Sequence, residues 1–284
     1  MSDGACVLGP PSMSWVWYEM RTRLWALVAL ILACNAEIMF VHGASETIRG
    51  IDVSEYQGHI DWEALRDSGA VSFCIAKATE GLHLIDAEFG RNWKAMRAMN
   101  IPVRGAYHFA RPSHDPEGAA RQASAFVDTV GRFHDGEFAV LDIESDFAHD
   151  TPSSGSGEHI AGAMDADALV LWCLSWISAV LHSSGLPPHR VVVYTGAWFW
   201  NPHTTPGDAR DALTKHFPLW VSSYTDATEP ESVPQGWLSW LLWQFTDNGS
   251  IDGIDGPVDM STFRGTVSDL EAFFSERDTN GRLR

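Results

Sequence analysis

From residue 48 onward, short apolar runs alternate with longer segments of helical periodicity, and this alternation restricts the fold more than any other feature of the chain. Strands are expected over residues 48–53, 71–78, 103–110, 138–144 and 191–195. Helices are expected between them, over 62–67, 87–99, 115–130 and 165–184. In the second helix Phe89, Trp93 and Met96 recur at helical spacing. Beyond residue 195 the helical pattern fades. Segments 219–222, 241–244 and 258–260 read as strands joined mostly by loops, with a last helix near 268–274. Regular βα alternation without a break in composition predicts a parallel α/β barrel in one domain. A chain of 284 residues, 45% of them hydrophobic, has enough apolar material to bury such a core.

Charge narrows the partners. Asp and Glu number 37 against 19 Lys and Arg, a formal net charge of −18. A nucleic-acid binder needs clustered cations to displace counterions, so no nucleic-acid partner is expected.

Residues 1–44 are read apart from the barrel, which is expected over 45–284. Arg21 and Arg23 precede an apolar run at 24–34, too short for a bilayer span and suited to the core of a secretory signal. Small residues at Ala36, Gly43 and Ala44 offer cleavage points. Residues 1–19 contain no basic residue, so Met20, which opens MRTR, is expected to be the true start. The product is then secreted or periplasmic, with no stable membrane domain beyond the leader. An uncleaved anchor, or lipid attachment at Cys34, is the alternative. Within the barrel only Cys74 and Cys173 remain, both in apolar runs, and both are expected as buried thiols. There is no CxxC or HExxH spacing, so no metal is expected. Residues 247–253 (DNGSIDG) read as a turn-rich connection, because Val258 stands where a calcium loop would close with glutamate.

The chemistry is expected at the strand ends. Asp52, Asp142, Glu144 and Asp259 all stand in or beside apolar strands, where a carboxylate costs desolvation energy. Asp142 and Glu144 are two residues apart and share a face. Clustered carboxylates cannot all ionise freely, so one stays protonated to higher pH. Glycosidic cleavage needs one group to protonate the leaving oxygen and another to stabilise charge at the anomeric carbon. Residues 145–163, rich in Ser, Gly, Asp and His, follow a strand C-terminus, where a barrel places its active site.

At these residues the sequence resembles glycoside hydrolase family 25, the Chalaropsis-type lysozymes. The likeness begins with Gly50-Ile51-Asp52-Val53-Ser54, Gln57-Gly58 and Ile60-Asp61-Trp62. It continues through Lys77-Ala78-Thr79-Glu80-Gly81, Gly105-Ala106-Tyr107-His108-Phe109, Leu141-Asp142-Ile143-Glu144 and Val193-Tyr194-Thr195. It ends with Leu219-Trp220, Trp243-Gln244-Phe245 and Gly253-Ile254-Asp255-Gly256-Pro257-Val258-Asp259. The motifs run in family order over residues 48–274. The resemblance implies a single flattened TIM-like barrel of the (β/α)5(β)3 type, acting as a lysozyme (N-acetylmuramidase) on peptidoglycan glycan strands, without metal or organic cofactor. Carried over by motif, Glu144 is the general acid and Asp142 orients or stabilises the reacting N-acetyl group. Asp52 and Asp259 line the same pocket. A catalytically silent wall-binding barrel and a chitin-directed hydrolase are the alternatives, and a monomer is expected.

Further residues are weighed by position. Tyr107 and His108 close the third strand, so one should face the barrel mouth; His108 is open between a sugar contact and a core histidine. Lys77 and Glu80 are expected to pair, or Lys77 to meet the pocket acids. Tyr194, Trp220, Tyr224 and Trp243 are candidate sugar platforms, with Gln244 beside them. Trp62, Trp93, Trp172 and Trp176 are expected to pack in the core. Backbone spacing puts Asp142 and Glu144 about 6.5–7 Å apart, which leaves retaining and inverting geometries both open. The substrate's own acetamido group favours retention.

Overall fold

Parallel pairing runs without interruption through seven strands: β1 (Arg49–Val53), β2 (Phe73–Glu80), β4 (Val103–Phe109), β5 (Glu137–Asp142), β6 (Val191–Gly196), β7 (Leu219–Ser222) and β8 (Leu242–Gly249). Strand β9 (Val258–Phe263) lies antiparallel between β8 and β1 and closes the ring. The two-residue strand β3 (Leu84–Ile85) pairs with β2 outside it. These relations come from a computed structural model that describes residues 48–115, 117–144 and 164–275. The leader, its candidate start and lipidation site, and residues 145–163 lie outside the described residues.

Five βα units are followed by three strands, the (β/α)5(β)3 barrel expected above. The helices are α1 (Trp62–Ser68), α2 (Phe89–Ala98), α3 (Gly118–Val130), α4 (Ala166–Ser184), α5 (Ala197–His203), α6 (Asp208–His216) and α7 (Val267–Phe274). Local chemistry sets their ends. Asp61 accepts from the N–H groups of Glu63 and Ala64 to start α1, and Gly69 ends it with φ +62°. Asp165 caps α4 through Ala168 N–H, and Thr266 with Asp269 forms a capping box on α7. The apolar helix α4 packs against α3.

Helices α5 and α6 correct the expectation of loops after β6. The buried face of α6 is Arg210, Leu213 and Thr214, so it shows no apolar stripe. Its helical signal is electrostatic instead: Asp208 and Asp211 in the first turn, Lys215 and His216 in the last, with Lys215 Nζ 2.8 Å from Asp211. Helix α5 is short and contains Pro202. Strand β3 is too short for periodicity to register.

Alternate residues of each strand fill the barrel. Phe73, Ile75, Val103, Phe138, Val140, Val192, Tyr194, Trp220, Leu242 and Phe263 form one buried cluster. Helix α7 plugs its lower end, with Phe274 stacked on Phe138 at 4.1 Å between ring centroids. Two inward positions must be glycine. A Cβ on Gly50 would come within 2.2 Å of the Phe73 ring, and one on Gly105 within 2.7 Å of Phe138. Small residues on β1 and β4 thus admit the two phenylalanines on their neighbours.

Candidate active site

The alternation that puts apolar residues inside the barrel also lifts a polar set to its mouth. On β1 the inward row runs Gly50, Asp52; on β2 Phe73, Ile75, Lys77; on β5 Phe138, Val140, Asp142. Tyr107, Tyr194 and Gln244 take the same place on β4, β6 and β8. Strand β9 runs the other way, so its row reads Phe263, Ser261, Asp259 towards the mouth. Every polar side chain in this set stands at the C-terminal end of the parallel strands, where barrel enzymes carry their chemistry.

Asp52 and Asp259 are register partners across β1 and β9, and their carboxyls share a hydrogen bond. Gln244 organises them. Its Nε2 donates to Asp52 Oδ2 at 3.0 Å and to Asp259 Oδ2 at 3.4 Å. Its Oε1 accepts from the hydroxyls of Tyr194 at 2.7 Å and Tyr224 at 2.9 Å. Both ends of the amide are therefore used, which fixes its orientation. Burial, then the charge of Asp259, pushes Asp52 well above the ordinary carboxylate range. Asp259 is raised as well, by burial first, so the pair holds a proton above the ordinary carboxylate range.

Asp142 and Glu144 occupy the opposite side. Burial first, then the neighbouring Glu144, raises Asp142 well above its usual range, against a smaller opposing pull from Lys77. Its Oδ1 is buried and has no hydrogen-bond partner among the described residues. Burial, with Asp259 adding, pushes Glu144 to about 7, while Lys77 and Arg111 pull the other way. Glu144 thus carries a proton up to neutral pH although it lies at the mouth. Burial also holds the Tyr107 and Tyr194 phenols neutral.

Lys77 pairs with Glu80 at 2.7 Å, one of its two expected arrangements, and Glu80 also takes Arg111 Nη2 at 2.6 Å. Arg111 was not among the residues expected from sequence. Its signal was positional, two residues beyond β4 on a mouth loop. Trp198, 60% exposed beyond the end of β6, was likewise not anticipated.

One open orientation is resolved by the structure and another expectation is corrected. His108 points away from the mouth, into the layer between sheet and helices. Its Nδ1 lies 2.8 Å from Thr79 Oγ1, its Nε2 lies 2.9 Å from Gln122 Oε1, and its ring stacks on Trp176. Burial lowers its pKa to about 4, so it is a neutral core histidine. Trp220 fills the barrel interior, donating from Nε1 to Ser261 Oγ at 3.0 Å and packing on Tyr194. Neither Trp220 nor the buried Trp243, whose Nε1 donates to the Ser223 carbonyl, offers a face to a sugar. Tyr194 forms the pocket floor, and of the four candidate platforms Tyr224 alone has a half-exposed ring. Trp62, Trp93, Trp172 and Trp176 are buried, as are the free thiols of Cys74 and Cys173. Among the described residues, no three His, Cys, Asp or Glu side chains group as a metal site.

Comparison with known proteins finds a family match for the chain. Residues 51–254 fit the model described as glycosyl hydrolases family 25. The chain is 37% identical over 235 residues to Uncharacterized protein YegX of Escherichia coli (strain K12), covering 81% of this chain and 74% of that protein. It is 32% identical over 230 residues to Lysozyme M1 of Streptomyces globisporus, covering 79% and 70%. Among solved structures, the bacterial lysozyme from Streptomyces coelicolor superposes with a TM-score of 0.66 at 29% identity, over 81% of this chain and 97% of that one.

Proposed function

The chain belongs to glycosyl hydrolases family 25 and is a glycoside hydrolase, and on that premise we propose that it is a secreted muramidase. Its bond is the β-1,4 link between N-acetylmuramic acid and N-acetylglucosamine in peptidoglycan. Glu144 is the general acid. It gives its proton to the glycosidic oxygen as the bond to the anomeric carbon breaks. The acetamido oxygen of the muramic residue attacks that carbon from the other face, forming an oxazolinium ring. Asp142 receives the acetamido N–H, aiming the carbonyl and steadying the positive charge. Water then opens the ring, with the Glu144 carboxylate taking its proton, so the product keeps the β configuration.

The observation that carries this reading is the unpartnered Oδ1 of Asp142 beside a glutamate raised to about 7. A buried carboxyl oxygen without a donor costs free energy in the free enzyme, and a substrate N–H removes that cost on binding. The Asp52–Asp259–Gln244 group, tied to two tyrosines, supplies a rigid wall facing it.

Digestion of peptidoglycan followed by mass spectrometry and immediate proton NMR tests the proposal. Reducing N-acetylmuramic ends that appear first as the β anomer are expected. Wall binding without cleavage would make the barrel a binding module, and cleavage of chitin alone would move the substrate. An α anomer appearing first would overturn retention.

A further inference from the structure

Lys77 and Arg111 bring positive charge to a mouth that holds four acids, and both are fixed by the same two side chains. Lys77 Nζ lies 5.2 Å and Arg111 Cζ 4.6 Å from the centroid of the Phe109 ring. Between them Glu80 takes Lys77 on Oε2 at 2.7 Å and Arg111 on Oε1 through both Nε and Nη2. Gln122 fixes the Arg111 backbone from behind, accepting from its N–H at 3.2 Å and donating to its carbonyl at 2.6 Å. The same glutamine is held by buried His108, which is itself held by Thr79. Phe109 is the register partner of Asp142, and Ala110 N–H donates to the Asp142 carbonyl at 2.8 Å. This assembly therefore stands against the end of β5 that carries the catalytic pair.

Resting on Glu144 as the acid, we propose that Arg111 and Lys77 are positioning residues that act through charge. Locked over Phe109 by Glu80 and Gln122, they supply the counter-charge that Glu144 needs as it gives up its proton. Glu80 is their clamp. The other described groups around Glu144 do not provide that charge. Asp52 from β1, Asp142 from β5 and Asp259 from β9 add negative charge or compete for protons, and the Tyr194 and Tyr224 phenols are neutral. Lys77 and Arg111 are the cations that pull Glu144 downward.

Charge predicts opposite shifts from two substitutions that break the same ion pair. Above the pKa of Glu144 the acid is ionised and cleavage falls, so this group sets the alkaline limb of the pH–rate profile. Arg111→Met removes a cation and should move that limb up by about 0.5–1 pH unit, whereas Glu80→Gln removes an anion and should move it down by a similar amount. Arg111→Lys should restore the wild-type limb. The full-length enzyme is assayed on soluble peptidoglycan fragments, with Glu144→Gln as the control. If both variants lose rate without a limb shift, or shift it in the same direction, the pair is merely structural and this inference fails. An active Glu144→Gln control would instead overturn the assignment of the acid itself.

Discussion

At the N-terminal end of β5, Glu137 is buried with its carboxylate fully engaged. Arg97 reaches it at 2.7 and 2.8 Å, Arg104 at 3.2 Å, and His134 N–H donates at 2.8 Å. Arg190 donates to the Glu137 backbone carbonyl from the same side. At the C-terminal end of the same strand, Asp142 is buried with an oxygen that no donor among the described residues reaches. The first carboxyl is pulled below its usual range by Arg97 and its hydrogen bonds, although burial alone would raise it. The second is raised by burial that nothing offsets in full. Five residues apart on one strand, burial has opposite outcomes, and the partner decides which. The paired end holds the barrel together; the unpaired end keeps a desolvation cost in the free protein.

The comparison also fixes the sign of the pH dependence. Glu137 binds its proton more weakly folded than unfolded, so its contribution is present above its unfolded pKa and lost as pH falls through the folded one. Asp52, Asp142 and Glu144 bind protons more tightly when folded. Their contribution is greatest in acid and is lost as pH rises from ordinary carboxylate values towards neutrality.

The largest expected effect lies at the unpaired end. Glu144→Gln keeps the shape and removes the proton, and turnover should fall about 10²–10⁴-fold with the melting temperature unchanged or higher. Steady-state assays and thermal melts check this together, and near-wild-type turnover would break the contrast. Next comes the paired end. Glu137→Gln leaves two arginines facing an uncharged group, and because Arg97 is one-third exposed the loss of stability should be about 2–4 kcal/mol. Urea unfolding measures it. Turnover per folded molecule should be unaffected, and a large fall would mean that the two ends are not separate in function.

A smaller effect sharpens the contrast further. Asp142→Asn removes an ionisable group whose charged form the fold disfavours, so stability at pH 7 should rise while turnover drops. The gain should shrink as pH falls below the ordinary aspartate value of about 3.9, where the wild-type carboxyl is protonated in both states. A loss of stability at pH 7 would place Asp142 with Glu137 among the structural acids.

The sequence carried the ring of strands and the four acids because both follow from a period of two. Asp52, Asp142 and Asp259 stand in line with apolar residues that have to face inward, so their place at the mouth was legible. Facing was harder to read at strand ends. Lys77 and Thr79 are two apart, yet the register shifts between them, and Thr79 turns outward to meet His108. The shift is on β2; on β4 the period of two holds from Val103 through Gly105 to Tyr107, which puts Tyr107 in the pocket and His108 against the helices. Trp220 shows a second limit, since inward-facing does not mean accessible when the barrel is filled. Helix α6 was hidden for a third reason, its buried face being held by polar contacts. Arg111 lies past the last strand residue, where loop conformation and not periodicity decides what a side chain meets.

The central claim is that Glu144 keeps its proton to neutral pH because it is desolvated at the barrel mouth beside other acids, Asp259 above all. Carbon-13 NMR titration of the enzyme labelled at glutamate carboxyls tests it directly, with Glu144 assigned by the resonance that disappears in Glu144→Gln. The account predicts a midpoint for Glu144 of about 7, with Glu137 below the ordinary glutamate value. A Glu144 midpoint at the ordinary carboxylate value of about 4.3 would contradict it.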